Sequence, residues 1–300
     1  MKTLFGLIIS FPLLGIISLD THYHFTNFDF ISFFEKDART SNYILNQLNK
    51  NQVEKVFLLS DAYRITKEYA QKQLLLGKDE RVQLNQELSD EVSKQPDRLI
   101  GFCSINLEWD DYLDVFNKCK NLPGIKGIKL NPSWYNESLT SRDIFNKLKS
   151  IYELANKLDL IFLIHLKMLA MSTNSSLLEF DKIFELSKEF PRTTTIIAHL
   201  AQGKLLALKL LGDRMHAENV NNIYAEISTF FHNFLTPPDY LSSVMNDFGI
   251  DHILFGTDFP EYTAQKTLNM LQISGLSEEI INKITIENGE KFIQSHHLFK

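Results

Sequence analysis

Gly15-Ile16-Ile17-Ser18-Leu19-Asp20-Thr21-His22-Tyr23-His24 is an apolar run that ends in two histidines one residue apart. The apolar part predicts a buried β-strand. Because side chains alternate along a strand, His22 and His24 point to the same side of it. A similar arrangement recurs along the chain and decides the fold. In each case a short apolar strand ends in polar residues, and a helical pattern follows it.

Eight segments have this strand pattern, at 15–24, 53–60, 98–105, 124–131, 160–166, 193–200, 221–228 and 251–258. Amphipathic helical patterns lie between them, at 41–51, 107–121, 142–157, 176–189, 203–217 and 236–248. Alternating strands and helices predict a parallel sheet, and eight such units in about 250 residues are typical of a closed (β/α)8 TIM barrel. The alternative is a doubly wound open sheet, but no glycine-rich phosphate loop follows any strand.

The composition is that of a soluble globular protein with a large core. The chain has 300 residues, is 44% hydrophobic and 23% charged, and carries a net charge of −6. No basic block indicates a nucleic-acid partner, and the acidity is too mild to imply a cationic partner. Cys103 and Cys119 lack the spacing of a metal site, and we expect two buried thiols rather than a disulfide framework.

The N-terminus has two interpretations. Lys2 precedes an apolar run from Leu4 to Ile17 that Pro12 interrupts, which resembles a signal peptide. The alternative is a buried N-terminal extension, and the run is too short for a stable membrane span. We therefore divide the chain into a possible signal peptide or extension at 1–15 and one barrel domain at 16–300. The first interpretation predicts an exported or periplasmic protein, and the second a cytoplasmic one.

Polar residues end several of the predicted strands, and in a barrel the chemistry lies at the carboxyl ends of the strands. Any one of them alone is explained as a cap or a satisfied core residue, but all five together indicate a metal site. Imidazole and carboxylate ligands suit Zn²⁺ first, with Mn²⁺, Fe²⁺ and Co²⁺ as alternatives. The five strand-end residues are His22, His24, His165, His199 and Asp258.

The motifs, taken in order, resemble the amidohydrolase superfamily and specifically its amidohydrolase-related (amidohydrolase 2) branch. The segments that carry the resemblance are Leu-Asp-Thr-His-Tyr-His-Phe at 19–25, Gly-Ile-Lys-Gly-Ile-Lys-Leu at 124–130, Ile-His at 164–165, Ile-Ile-Ala-His-Leu at 196–200 and Leu-Phe-Gly-Thr-Asp-Phe-Pro at 254–260. The resemblance runs from about residue 15 to the C-terminus. It implies one divalent metal held by His22, His24, His165 and Asp258, with His199 beside it.

This branch includes hydrolases of lactones and amides and also non-oxidative decarboxylases. We expect a metal-dependent hydrolase that attacks a small cyclic or carboxylated lactone, amide or ester with a metal-activated water. Asp258 would transfer the proton, and His199 would stabilise the developing oxyanion. The choice of hydrolysis rests on the lack of an evident arginine cluster for a carboxylate. A decarboxylase of the same branch is the alternative, and a metal-binding barrel without catalysis is the third hypothesis.

Substrate contacts are predicted only from their positions after strands. The candidates are Arg64, Lys129, Asn131, Trp134 and Lys167. Other branches of the superfamily use a carbamylated lysine after strand four to bridge two metals, and Lys129 occupies about that place. The expected partner is a small-molecule substrate, and the resemblance also allows a homodimer.

Overall fold

Eight parallel strands lie side by side in chain order, β1 to β8. The computed structural model describes residues 16–25, 40–64, 78–166 and 176–299. The predicted segment 1–15 and Lys167 lie outside the described residues. The strands are β1 (Ile17–Phe25), β2 (Val53–Ser60), β3 (Leu99–Ile105), β4 (Ile125–Leu130), β5 (Ile161–Ile164), β6 (Thr194–Ile197), β7 (Ile223–Glu226) and β8 (Ile253–Leu254).

Backbone hydrogen bonds close the barrel between β1 and the chain that follows β8. The amide of Thr21 donates to the carbonyl of Phe255 at 3.0 Å, and the amide of Asp258 donates to the carbonyl of His22 at 2.7 Å. The amide of His24 donates to the carbonyl of Phe259 at 2.8 Å. The first and last strands are therefore joined, and the predicted TIM barrel in a single domain is confirmed. The same bonds bring both histidines next to Asp258.

Helices surround the strands, as the amphipathic patterns predicted. The described α-helices are α1 (Ser41–Lys50), α2 (Lys78–Val92), α3 (Tyr112–Cys119), α4 (Arg142–Asn156), α5 (Ser176–Glu189), α6 (Leu205–Glu218), α7 (Phe230–Asn233), α8 (Pro238–Phe248), α9 (Ala264–Ile273), α10 (Glu278–Asn282) and α11 (Asn288–Ser295). A π-helical turn at Lys283–Glu287 joins the last two.

Two apolar layers result from the alternation of side chains along the strands. The outer layer lies between strands and helices and includes Ile128 and Leu130. The inner layer fills the barrel with side chains such as Phe57, Phe102 and Leu163, and Phe292 of α11 belongs to the same cluster. Lys129, between the two outward residues, points inward as predicted and is fully buried.

The later strands are shorter than predicted. Segments 160–166 and 193–200 reduce to β5 and β6 of four residues each, and 251–258 reduces to a β8 of two residues. The register continues past the end of β5, because the amide of His165 donates to the carbonyl of Leu130 at 3.0 Å. Beyond these ends the backbone turns, and the turning residues supply the polar side chains of the barrel mouth.

The two cysteines form a disulfide, so the expectation of two separate thiols was wrong. Cys103 lies on β3 and Cys119 at the end of α3, and their Cα atoms are 6.0 Å apart. Both residues are buried, as predicted. The sequence pattern did not show that α3 packs with its last turn directly over β3.

Among the described residues, every helix is too short or too polar to cross a bilayer.

Candidate metal centre

β1 presents His22 and His24 to one point at the mouth of the barrel. Their Nε2 atoms are 3.2 Å apart, and the rings are tilted by 46° to each other. His22 is fully buried, and His24 is partly exposed at the floor of a pocket. The alternation that the sequence predicted therefore brings two imidazole nitrogens together.

Asp258 meets the two imidazoles at this point. Its Oδ1 lies 3.1 Å from Nε2 of His22 and 2.9 Å from Nε2 of His24. The residue follows β8 and has a left-handed backbone, with φ of 61°. Its amide is held by the carbonyl of His22, so the turn that positions the carboxylate is tied to β1.

A buried carboxylate holds the other nitrogen of each histidine. Nδ1 of His22 donates to Oε1 of Glu226 at 2.8 Å, and Nδ1 of His24 donates to Oδ1 of Asp61 at 2.7 Å. Such carboxylates fix the tautomer of a metal-binding histidine and orient its ring. The proton therefore lies on Nδ1, and in the neutral ring Nε2 has its lone pair directed at the common point.

The charges around this point differ between the two rings. Burial and the Lys129 ammonium lower the pKa of His22 to about 3, so this ring is neutral. Burial also opposes the charged form of His24, but the Asp61 and Asp258 carboxylates outweigh it and raise the pKa of His24. The Asp61 and Asp258 carboxylates thus favour positive charge on the His24 side of the centre.

This donor set fits a divalent metal. His22, His24 and Asp258 each offer one ligand atom, and the three atoms lie within 4.8 Å of one another. Two imidazole nitrogens and one carboxylate oxygen are borderline-to-hard ligands that suit Zn²⁺ or Mn²⁺. The positive charge favoured at this point is what a bound cation would supply.

Lys129 lies at the centre rather than in the pocket above it. Its Nζ is 3.2 Å from Nε2 of His22. Burial lowers the pKa of Lys129 to about 8, although Asp258 and Glu226 oppose that shift. The predicted inward orientation is present, but the described lining of the pocket does not include this lysine.

His199 is buried behind the centre in a dense set of hydrogen bonds. Its ring stacks on that of His22, with centroids 4.8 Å apart. Its Nδ1 donates to the carbonyl of Ser228 at 2.9 Å, and its amide donates to Oε1 of Glu226 at 2.9 Å. Glu226 therefore orients His22 and His199 together. Burial alone would raise the pKa of Glu226, but His22 and the neighbouring donors lower it to about 2.

His165 lies next to His199 and outside the three-residue donor group. Its Nδ1 is 3.0 Å from Nε2 of His199, and its Nε2 is 2.8 Å from the amide nitrogen of Gln202. Burial, followed by His199 and Lys129, holds the pKa of His165 well below its usual range. Both of its ring nitrogens therefore have protein partners.

A pocket of about 390 Å³ opens above the centre. Arg64 donates through Nε to the Tyr63 hydroxyl at 3.2 Å, and its guanidinium lies 5.9 Å from the centre of the Trp134 ring. Trp134 is 47% exposed, so one aromatic surface is open to a ligand. The lining residues are His24, Asp61, Tyr63, Arg64, Asn131, Trp134, His165, Asp258, Pro260 and Glu261.

A sequence profile of the amidohydrolase family matches residues 20–293. The chain belongs to the amidohydrolase family. This membership confirms the resemblance carried by the strand-end motifs, and it makes the protein an enzyme. A search of curated protein sequences found no match to the chain.

Solved structures with the same fold cover almost the whole chain. A 2,6-dihydroxybenzoate decarboxylase from Rhizobium is 16% identical over 94% of this chain and 99% of that chain, with a TM-score of 0.65. A dihydroxybenzoic acid decarboxylase from Polaromonas sp. JS666 was solved with bound manganese and the inhibitor 2-nitroresorcinol. It is 17% identical over 93% of this chain and 97% of that chain, with a TM-score of 0.61. A probable 2-pyrone-4,6-dicarboxylic acid hydrolase from Acinetobacter baumannii was solved with citric acid bound. It is 14% identical over 93% of this chain and 100% of that chain, with a TM-score of 0.57.

Several residues of this site were not identified from the sequence, among them Asp61, Glu226, Glu261 and Gln202. Asp61 directly follows β2 and Glu226 ends β7, so the strand-end rule that found the histidines also applied to them. Glu226 lies within the predicted strand 221–228, and the sequence leaves its contact open between Lys129 and a ligand. Glu261 and Gln202 carried no such signal, because they lie in turns whose direction depends on the closed barrel.

Proposed function

We propose that the protein is a divalent-metal-dependent enzyme that acts on a small carboxylated ring compound and removes its carboxyl group. The observation that carries the proposal is a single pocket lined by an arginine, an open tryptophan ring, and His24 and Asp258 of the His22–His24–Asp258 donor group. Hydrolysis of a similar ring compound is the second candidate.

The metal would be held by His22, His24 and Asp258, with His165 as the fourth candidate ligand. When bound, a divalent metal supplies Lewis-acid polarisation of a substrate oxygen and a lowered pKa for water. Zinc is our first choice from the ligand types, and manganese is supported by the manganese bound in the Polaromonas decarboxylase.

Arg64 would hold the carboxylate of the substrate. Among the described residues, the hydrogen bond to Tyr63 and the ion pair with Asp61 both use Nε of the guanidinium, and its terminal nitrogens are the atoms that would bind an anion. A guanidinium matches a carboxylate with two parallel hydrogen bonds. Trp134 would lie against the ring, and Asn131 offers an amide on the same wall. The cavity volume suits a compound of one ring.

Asp258 would transfer the proton at the reacting atom. Its carboxylate lies at the pocket floor beside both imidazoles, where it can first accept a proton from water and then return it to the ring carbon as the bond from that carbon to the departing carbon dioxide breaks. His199 and Glu226 would keep His22 in place and exclude water from behind the centre.

Two arguments place decarboxylation before hydrolysis. The expectation of hydrolysis rested on the lack of an evident arginine cluster for a carboxylate, but the single arginine Arg64 lines the pocket and supports a carboxylate anchor. The Rhizobium and Polaromonas structures are described as decarboxylases of dihydroxybenzoic acids. The Acinetobacter structure, described as a probable hydrolase of a pyrone dicarboxylic acid, supports the second candidate.

One panel of substrates tests both candidates. Protein purified without chelator and supplied with Zn²⁺ or Mn²⁺ is assayed on hydroxybenzoic acids for carbon dioxide release, and on carboxylated lactones and amides for ring or bond opening. Carbon dioxide release supports the first candidate, and lactone or amide opening alone supports the second. Activity that survives in His22→Ala, or metal content that is unchanged there, would contradict the metal-dependent proposal. His216→Ala, which removes an exposed histidine of α6, is the matched control.

A further inference from the structure

The hydrogen bonds from Ser228 to His165 determine which ring nitrogens carry protons. The Ser228 carbonyl can only accept, so the proton of His199 lies on Nδ1, 2.9 Å away. The side-chain amide of Gln202 can only donate to Nε2 of His165, so the ring proton of His165 lies on Nδ1, which donates to Nε2 of His199 at 3.0 Å. The Nε2 atom of His165 is left with a bare lone pair.

Gln202 covers this lone pair. Its side-chain amide nitrogen lies 2.8 Å from Nε2 of His165, and an amide N–H can only donate. The residue is buried, with 5% of its surface exposed. The atom of His165 that a metal would need is therefore already hydrogen-bonded.

An unusual backbone turn holds Gln202 in this position. His199, Leu200, Ala201 and Gln202 have φ values of 57°, 43°, 61° and 57°, and Gly203 follows at 79°. Four successive non-glycine residues in the left-handed region are unfavourable for L-amino acids, and such strain clusters at functional sites. Through this turn, His199 and Gln202 meet the two ring nitrogens of His165 from the same segment.

We infer that Gln202 is a positioning residue that competes with the metal for His165 and so weakens metal binding. This inference rests on the metal centre proposed above. For His165 to become the fourth ligand, its hydrogen bond to Gln202 has to break. Without the amide, the lone pair is available to the metal, and the centre binds the metal more tightly.

The test is the affinity of the full chain for Zn²⁺ and Mn²⁺, measured by competition with a chromophoric chelator. Gln202→Gly removes the amide and suits the left-handed backbone, and Gln202→Ala removes the amide alone. We expect both to bind the metal roughly two- to tenfold more tightly, which corresponds to one lost hydrogen bond. Ala201→Gly is the matched control, because it relaxes the same turn and keeps the amide, and its affinity should equal that of the wild type.

A double-mutant cycle tests whether the effect passes through His165. In a His165→Ala background, Gln202→Gly should leave the affinity unchanged. Unchanged or weaker metal binding in both Gln202 variants would overturn the inference. An equal gain of metal affinity in Ala201→Gly would also overturn it, and so would a gain from Gln202→Gly that persists in the His165→Ala background. A wild-type protein that binds neither metal would instead overturn the proposed function. Circular dichroism spectra identify any variant that fails to fold.

Discussion

Glu226 connects several parts of the centre. Its carboxylate accepts from the ring of His22, the amide of His199, and both the amide and the hydroxyl of Ser228. One buried side chain at the end of β7 therefore orients residues from β1, from the turn after β6 and from the loop after β7. The position of His22 relative to the proposed metal depends on this carboxylate.

Glu226→Gln should weaken metal binding by roughly 10- to 100-fold, the usual effect of losing a carboxylate behind a metal-binding histidine. Both carboxylate oxygens of Glu226 accept from protein donors, so an amide nitrogen in either place faces an N–H or O–H group. The chelator competition assay measures the change. Glu218→Gln, on the exposed side of α6, is the control. Equal metal affinity in the two variants would show that Glu226 does not position His22.

Arg64→Gln should raise KM for a carboxylated substrate by roughly tenfold or more, because hydrogen bonds to charged groups contribute about 1.5–3 kcal/mol. The change in kcat should be smaller, since the guanidinium lies at the rim and not at the reacting atom. KM is compared for a carboxylated substrate and its neutral amide analogue, and only the former should change. Arg192→Gln, in an exposed pair with Asp159, is the control. A loss confined to kcat would contradict the role of anchor.

Close contact between elements adds constraints that helix and strand patterns do not reveal. The α6 helix carries Gly212 where it meets the end of α8. A Cβ atom there would lie 2.2 Å from Cα of Phe248 and 2.4 Å from the carbonyl oxygen of Asp247. These neighbours are backbone atoms and cannot turn away, so the two helix axes are as close as a glycine allows.

Gly212→Ala should therefore destabilise the protein, although alanine in a helix is ordinarily favoured over glycine by about 1 kcal/mol. Overpacking typically costs about 1–3 kcal/mol and outweighs that gain. The free energy of unfolding in urea measures the balance. Asp213→Ala, one position along and facing solvent, should change it little. A more stable Gly212→Ala variant would show that α6 and α8 can separate at low cost.

At the scale of the whole molecule, the two ends of the barrel have different roles. The metal centre lies at the carboxyl ends of the strands. Phe292 of α11 packs into the inner layer with Phe57 and Tyr224, at ring distances of 6.1 Å and 4.9 Å. The C-terminal helix thus covers the end of the barrel that is opposite the candidate metal centre. In TIM barrels, that end contributes to stability rather than to catalysis.

Phe292→Ala should lower the free energy of unfolding by roughly 3–5 kcal/mol, because it removes a buried aromatic ring and leaves a cavity. Metal affinity, measured on the folded variant, should stay within about twofold of the wild type, since the substitution lies far from the donor group. Thermal or urea unfolding and the chelator assay report on the two properties separately. A large loss of metal affinity in a folded variant would show that the two ends are coupled.

The amino-acid sequence by itself determined the barrel, the family and most residues of the candidate centre. Alternation along a strand places His22 and His24 on one side, and strand ends of a parallel sheet share one edge, so His199 and Asp258 could be located by local rules. Only the tertiary structure decided which groups touch. The disulfide, the carboxylates behind the histidines, the place of Arg64 at the rim and the contact of Gln202 with His165 depend on turns and helix positions. Closure of the barrel sets these distances, and no local pattern in the chain encodes them.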